Sequence, residues 1–203
     1  MSHQTSHLDP YTEQAVNTNI TLQEKITGLH EIVHQVKTGM LTTRSSDGHM
    51  HSRAMTPASP MDENQLTLVF FANKVTHKCE ELDNDANINV SFYDPKTTNW
   101  ASYSGKARLS QDKGLIKKHW SPFVSGWFGD LKDDVHRGDE NDPRIVVIEV
   151  IPDEIKYWVA TKGSIGRAVE VGLGAFTGKA ASPGEIRTIS KSEVELTRGL
   201  HAK

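Results

Sequence analysis

A single cysteine in 203 residues, Cys79, excludes an intramolecular disulfide and with it a small cross-linked scaffold. No apolar run approaches the roughly 20 residues that a membrane-spanning helix requires. Residues Met1 to Asn19 are polar and contain no hydrophobic segment of the kind a secretory signal carries. There is no excess of positive charge either: 23 Lys and Arg stand against 26 Asp and Glu, for a formal net charge of -3. That balance argues against a general nucleic-acid binder, which would show a basic face. Hydrophobic content is 36% and mean hydropathy -0.51, low for a globule, and polar termini account for much of this. A chain of this length still has enough material to bury the core of one domain. The expectation is a soluble cytoplasmic protein with no nucleic-acid or membrane partner.

What is present is a regular punctuation by turns. Residues 1–19 read as a flexible tail, 20–162 as the main domain and 163–203 as an extension rich in Gly, Ala and Ser, with a short helix near 190–200. Thr21 to Lys37 reads as a helix: Thr21 is the N-cap, Glu24 its capping-box partner and Gly39 lies near its end. Ile26, Leu29, Ile32, Val33 and Val36 form its apolar stripe at 3.6-residue spacing. Strands are expected near 39–44, 49–56, 66–72, 87–93, 98–109, 144–151 and 155–160, with helices from Thr76 and over 111–118 and a loop over 121–143. Short strands at this frequency indicate a mainly β fold, an antiparallel barrel with flanking helices.

The densest signal is Phe70-Phe71-Ala72-Asn73-Lys74-Val75-Thr76-His77-Lys78. An apolar strand ends in a polar turn, and a helical pattern running through Cys79, Leu82 and Ala86 opens at Thr76, whose hydroxyl suits an N-cap. His77 and Lys78 then fall in the first turn, where cations are unfavourable unless an anion binds the free N–H groups there. Glu80 and Glu81 follow as the dipole-complementing residues. A solvated helix start with exposed Lys and His is the competing reading. Upstream, Ser45-Ser46-Asp47-Gly48 reads as a hairpin turn, and the returning strand sets His49, His51, Arg53 and Met55 on one face. Arg53 offers a guanidinium for a phosphate, or is an ordinary solvent-facing Arg. His49 and His51 lack a Cys or carboxylate at ligand spacing, so a metal is not expected.

In this order, Ser52-Arg53-Ala54-Met55, Leu68-Val69-Phe70-Phe71-Ala72, Thr76-His77-Lys78, Asp85 to Phe92, Trp100 to Leu109 and Asp153 to Trp158 resemble the pyridoxamine-phosphate-oxidase-like FMN-binding split barrels. The similarity covers roughly residues 21–160, and within that family the chain is most similar to the general stress protein branch, which includes blue-light-inducible proteins of fungi. The resemblance implies a six-stranded antiparallel Greek-key split barrel, FMN as cofactor (with FAD the alternative) and a homodimer with the flavin at the subunit interface. It assigns Arg53, Thr76, His77 and Lys78 to the FMN phosphate. Ala54, Met55 and Thr56 line the isoalloxazine, facing Phe71 and Ala72, and Trp100 and Trp158 match positions contributed across the interface. Those two tryptophans serve equally as packing in a dimer core. His77 departs from the family, which commonly has Arg or Pro there.

True oxidases of the family carry an Arg-x-His-Asp-Arg-like motif after the position of Trp158. Here that stretch is Val159 to Arg167, with only Lys162 and Arg167 as cations, so vitamin B6 oxidation is not expected. No carboxylate or His is marked as a general acid or base. Three readings stay open: an FMN-dependent oxidoreductase reduced by a nicotinamide cofactor or by substrate, a flavin-sequestering or sensing stress protein, and a haem-binding split barrel using His49 or His51. In flavoproteins the cofactor carries the redox chemistry, so an oxidoreductase needs no marked catalytic side chain.

Overall fold

Every second residue of Gly39–Arg44 and Asn87–Tyr93 is buried, the period of strands with one covered face. The computed structural model describes residues 9–59, 61–178 and 180–201. In chain order its elements are α1 (Pro10–Ala15), α2 (Leu22–Val36), β1 (Gly39–Arg44), β2 (Met50–Met55), β3 (Leu68–Asn73), α3 (His77–Asn84), β4 (Asn87–Tyr93) and β5 (Trp100–Ser110). There follow α4 (Lys113–His119), α5 (Pro122–Ser125), β6 (Ile145–Ala160), α6 (Ser164–Thr177), β7 (Gly184–Ile189) and α7 (Lys191–His201). Six strands form an antiparallel path β2-β1-β4-β5-β6-β3, and β7 pairs with β6 beside it. The sheet curls into a half-barrel, as the split-barrel reading requires. Its two path ends meet where the Ala58 N–H, just past β2, donates to the Val69 carbonyl of β3 at 2.7 Å.

The concave side holds the main core, with Leu41, Phe70, Val90, Tyr103, Ile148 and Tyr157 all fully buried. Helix α2 closes it with Ile26, Leu29, Ile32 and Val33, and the Thr21–Glu24 capping box is formed. Gly39 does not cap that helix. Lys37 takes the C-cap with a positive φ of 65°, while Gly39 opens β1 where a Cβ would stand 2.8 Å from Phe92. Behind β3 and β6, α4 covers a second cluster of Val69, Ile116, Ile145 and Val147.

The strand expected as two, over 144–151 and 155–160, is one strand of 16 residues. Its pairing with β5 slips between Ser104 and Gly105, which oppose Glu154 and Pro152 and leave Asp153 extra. A Cβ on Gly105 would lie 2.2 Å from the Ile151 carbonyl, so the strands bend together only because this residue is glycine. Further segments differ from the expectation: the loop expected over 121–143 contains α5, and the extension contains the 14-residue α6. Residues 9–19, part of the expected tail, contain α1, which Asp9 caps through the Thr12 N–H. Val16 bridges to Ile186, Asn17 donates to Glu185 at 2.8 Å, and Tyr11 stacks on Trp158 at 6.0 Å. Residues 1–8 of that tail lie outside the described residues. Residues 184–189, expected in an extension, add β7 to the sheet. No described helix is long and apolar enough to cross a membrane.

Candidate functional site

The β1–β2 hairpin and α3 bring the predicted phosphate residues together. Gly48 takes the positive φ of the turn at 94°, and register pairs Thr43 with His51 and Leu41 with Arg53. His51, Arg53 and Met55 therefore point to the concave side and Ser52, Ala54 and Thr56 to the other. Arg53 crosses diagonally to the Thr43 hydroxyl and reaches Glu81 of α3 with Nη2 at 2.8 Å. Between turn and helix lies a recess of about 490 Å³ lined by Ser45, His51, Arg53, His77, Glu81 and Asn84, among others.

Thr76 occupies the N-cap position of α3, but its hydroxyl does not cap. It donates instead to the Asn73 carbonyl at 2.7 Å and accepts from Lys78 Nζ at 3.1 Å. The helix start is thus left without a side-chain cap, and the backbone N–H groups of His77 and Lys78 have no partner among the described residues. The helix ends at Asn84, two residues before the Ala86 that the sequence pattern includes, and Cys79 and Leu82 are its buried apolar residues. Lys78 is half-buried and forms no salt bridge among the described residues. Burial above all lowers its pKa from the usual lysine value, and the charge of Arg53 acts in the same direction. His77 is almost wholly exposed and, among the described residues, meets only Glu80, at 3.1 Å.

Glu81 is the residue that sequence reasoning missed. Expected as a dipole-complementing residue of the helix start, it is buried, with Oε2 bonded to Arg53 and Thr43 and Oε1 to His51 Nδ1 at 2.5 Å. Burial alone would raise its pKa, but the hydrogen bonds from Thr43, His51 and Arg53 outweigh that and hold it at about 2. The one available signal was its spacing of three from Lys78, which sets both on the helix face turned towards β1.

The other predicted residues are not all gathered at this point. Ala72 points into the main core, while Phe71 points the other way and packs edge-to-face on Trp120 at 5.6 Å. A planar ring at this strand end could meet only one of the two side chains. Trp100 and Trp158 face each other on β5 and β6, and Trp100 is three strands from β2, about 14 Å at ordinary strand spacing. They share the outward sheet face with Met40, Met50, Ala54 and Tyr93, and Trp158 is covered by Tyr11 of its own chain. Lys162 is held by Glu170 at 2.6 Å. The side chain of Arg167 lies outside the described residues. His49 meets Asp47 at 2.9 Å on the exposed turn.

A second cavity of about 320 Å³ lies beneath α4 and is lined by none of the predicted residues. Its charges are largely matched within the chain, Lys118 with Asp62 at 2.9 Å and Glu149 with Arg108 at 2.6 Å.

Comparison with known proteins agrees with the fold. The family model "Pyridoxamine 5'-phosphate oxidase like" matches residues 24–182. Protein bli-3 of Neurospora crassa is 38% identical over 194 residues, 95% of this chain and 92% of that protein. The crystal structure of General Stress Protein 26 from Bacillus anthracis superposes with a TM-score of 0.53 and 25% identity, over 68% of this chain and 94% of that one. A pyridoxamine 5'-phosphate oxidase-related, FMN binding protein from Nostoc punctiforme shares the fold, with a TM-score of 0.54 and 11% identity over 66% of this chain and 82% of that one.

Proposed function

The chain belongs to the pyridoxamine 5'-phosphate oxidase-like family, and on that premise we propose that it binds FMN and works as a flavin-dependent oxidoreductase other than a pyridoxamine-phosphate oxidase. The observation that carries this reading is Lys78: a half-buried cation at a helix start without a side-chain cap, beside Arg53 and, among the described residues, without a carboxylate of its own. Such an arrangement is unfavourable when empty and favourable around an anion. A phosphate monoester fits the donor set, with the His77 and Lys78 N–H groups, the Lys78 ammonium and the remaining Arg53 N–H groups converging on it. Thr76 holds Lys78 in place through its hydroxyl. The backbone of Ala54, Met55 and Thr56, continuing β2 from Arg53, would lie along the isoalloxazine, with side chains of one strand face against the ring. FMN supplies hydride and single-electron transfer when bound, and the protein's part is to bind, orient and shield it. A nicotinamide cofactor is the proposed reductant, and FAD is the alternative flavin.

Two observations shape the rest of the reading. Lys162, the cation nearest the segment where the oxidases hold substrate phosphate, is already paired with Glu170, which disfavours vitamin B6 oxidation. The outward sheet face leaves Met40, Met50 and Tyr93 exposed beside Trp100, which suits a second copy of the chain and a flavin bound between the two.

The test is the affinity for FMN, read by quenching of flavin fluorescence. Lys78→Met should weaken binding about tenfold. Arg53→Ala with Lys78→Ala should weaken it about 100-fold or more, since each charge-assisted hydrogen bond contributes on the order of 1.5–3 kcal/mol. Unchanged affinity in Lys78→Met would remove the site assignment.

A further inference from the structure

Glu81 plays no part in the reading of Thr76–Lys78 as an anion site, yet it organises the other half of that site. Three groups close a ring of hydrogen bonds: Arg53 Nη1 donates to the Thr43 hydroxyl, that hydroxyl to Glu81 Oε2, and Arg53 Nη2 to the same oxygen at 2.8 Å. His51 is attached to the second carboxylate oxygen at 2.5 Å. Thr43 is fully buried and Glu81 only 7% exposed, so the ring is anchored in the protein and not in solvent.

A carboxylate beside an oxyanion site is repulsive, and a site built only for attraction would omit it. Its presence has two physical consequences. First, an arginine side chain near the edge of a sheet is long and rotatable, and two fixed contacts leave its guanidinium one orientation. Two of the five N–H donors are taken by Thr43 and Glu81, so three remain, with directions set by the protein. Second, Arg53 and Lys78 repel each other in the empty site, and the Glu81 charge offsets that repulsion. The Arg53–Glu81 pair is then close to neutral, and Lys78 supplies the unbalanced charge. Arg53 contributes direction.

We infer that Glu81 is a positioning residue of this site: it orients Arg53 towards the ligand's phosphate and thereby sets the preference for a phosphorylated flavin over an unphosphorylated one. The inference rests on the phosphate-site reading above.

The experiment measures the affinities of FMN and riboflavin, by flavin fluorescence, for the full chain and for Glu81→Gln, Arg53→Ala and the double variant, with a thermal melt of each. Glutamine keeps the shape of the side chain but removes its charge, so its amide oxygen holds the Arg53 guanidinium only as a neutral acceptor and its amide nitrogen cannot accept from His51. Glu81→Gln should weaken FMN about tenfold and riboflavin less than about twofold, and in the Arg53→Ala background it should change FMN affinity less than about twofold. Unchanged FMN affinity in Glu81→Gln, with Lys78→Met still weakened, overturns the inference and leaves the phosphate site standing. An equal loss for both flavins, or the same loss in both backgrounds, marks a merely structural role and also overturns it. A wild-type protein that holds FMN no better than riboflavin overturns the phosphate site itself. If a charge variant does not fold, Thr43→Val decides, because it removes the shared hydroxyl without removing a charge. It should weaken FMN about threefold with riboflavin unaffected, and unaltered FMN affinity overturns the inference.

Discussion

Arg53 and Lys78 carry the same charge in different settings: one is tied into the protein by Glu81 and Thr43, while the other, among the described residues, has only the Thr76 hydroxyl. The placing of Arg53 on a strand and of Thr76 and Lys78 at a helix start was legible in the sequence because strand period and helix-start pattern are local, whereas the turn of the Thr76 hydroxyl to Asn73 instead of the helix was not. Glu81 was not, because its partners Thr43 and His51 come from a hairpin more than 25 residues upstream, and only packing of α3 on β1 turns it inwards. The same packing makes the protein sensitive to acid. The Glu81 carboxyl sits at about 2 in the folded chain against 4.5 ordinarily, so on acidification the unfolded chain takes up the proton first. Its stabilisation is therefore complete above the ordinary value and is lost as pH falls from about 4.5 towards 2. Of that, about 2 kcal/mol should be lost between pH 6 and pH 3. Urea unfolding at the two pH values should show this loss in the wild type and a smaller one in Glu81→Gln, and equal losses in both would contradict the assignment.

Elements that generate their own signal are legible in the sequence. Helix α2 has an apolar stripe and a capping box, and both are present in the fold. Helix α1 has six residues and a polar sequence, so it carries no periodicity, and it is held by docking of Tyr11, Val16 and Asn17 on β6 and β7. Strand β6 looks divided in the sequence because Pro152 and the extra Asp153 interrupt it, while the bend at Gly105 keeps it continuous in space. Deleting residues 1–19 should lower stability by about 2 kcal/mol, from lost burial and hydrogen bonding at this contact. It should also shift tryptophan emission to longer wavelength as Trp158 loses its cover. An unchanged spectrum and midpoint would mean that α1 is held by nothing of consequence.

For the molecule as a whole, the order of motifs was enough to name a split barrel, but which surfaces stay open is a property of the assembled sheet. Its outward face carries Met40, Met50 and Tyr93 in the open, and α6 exposes more than half of Val169, Val171 and Leu173. Apolar surface of this extent favours association. Light scattering at micromolar concentration should give about twice the chain mass of 22.6 kDa, and a value near the single-chain mass would refute the homodimer. The long strand β6 has a consequence for biosynthesis. Among the described residues, Leu68 to Asn73 pair only with the strand segment Ile145 to Val150, roughly eighty residues later in the chain. On the ribosome, β1, β2, β4 and β5 can pair while β3, with Leu68 and Phe70 unburied, waits for β6 to emerge. Translation speed across residues 74–144 thus sets how long a sticky, unpaired strand is displayed, and slow codons or a stall there would raise aggregation of nascent chains without altering the finished protein.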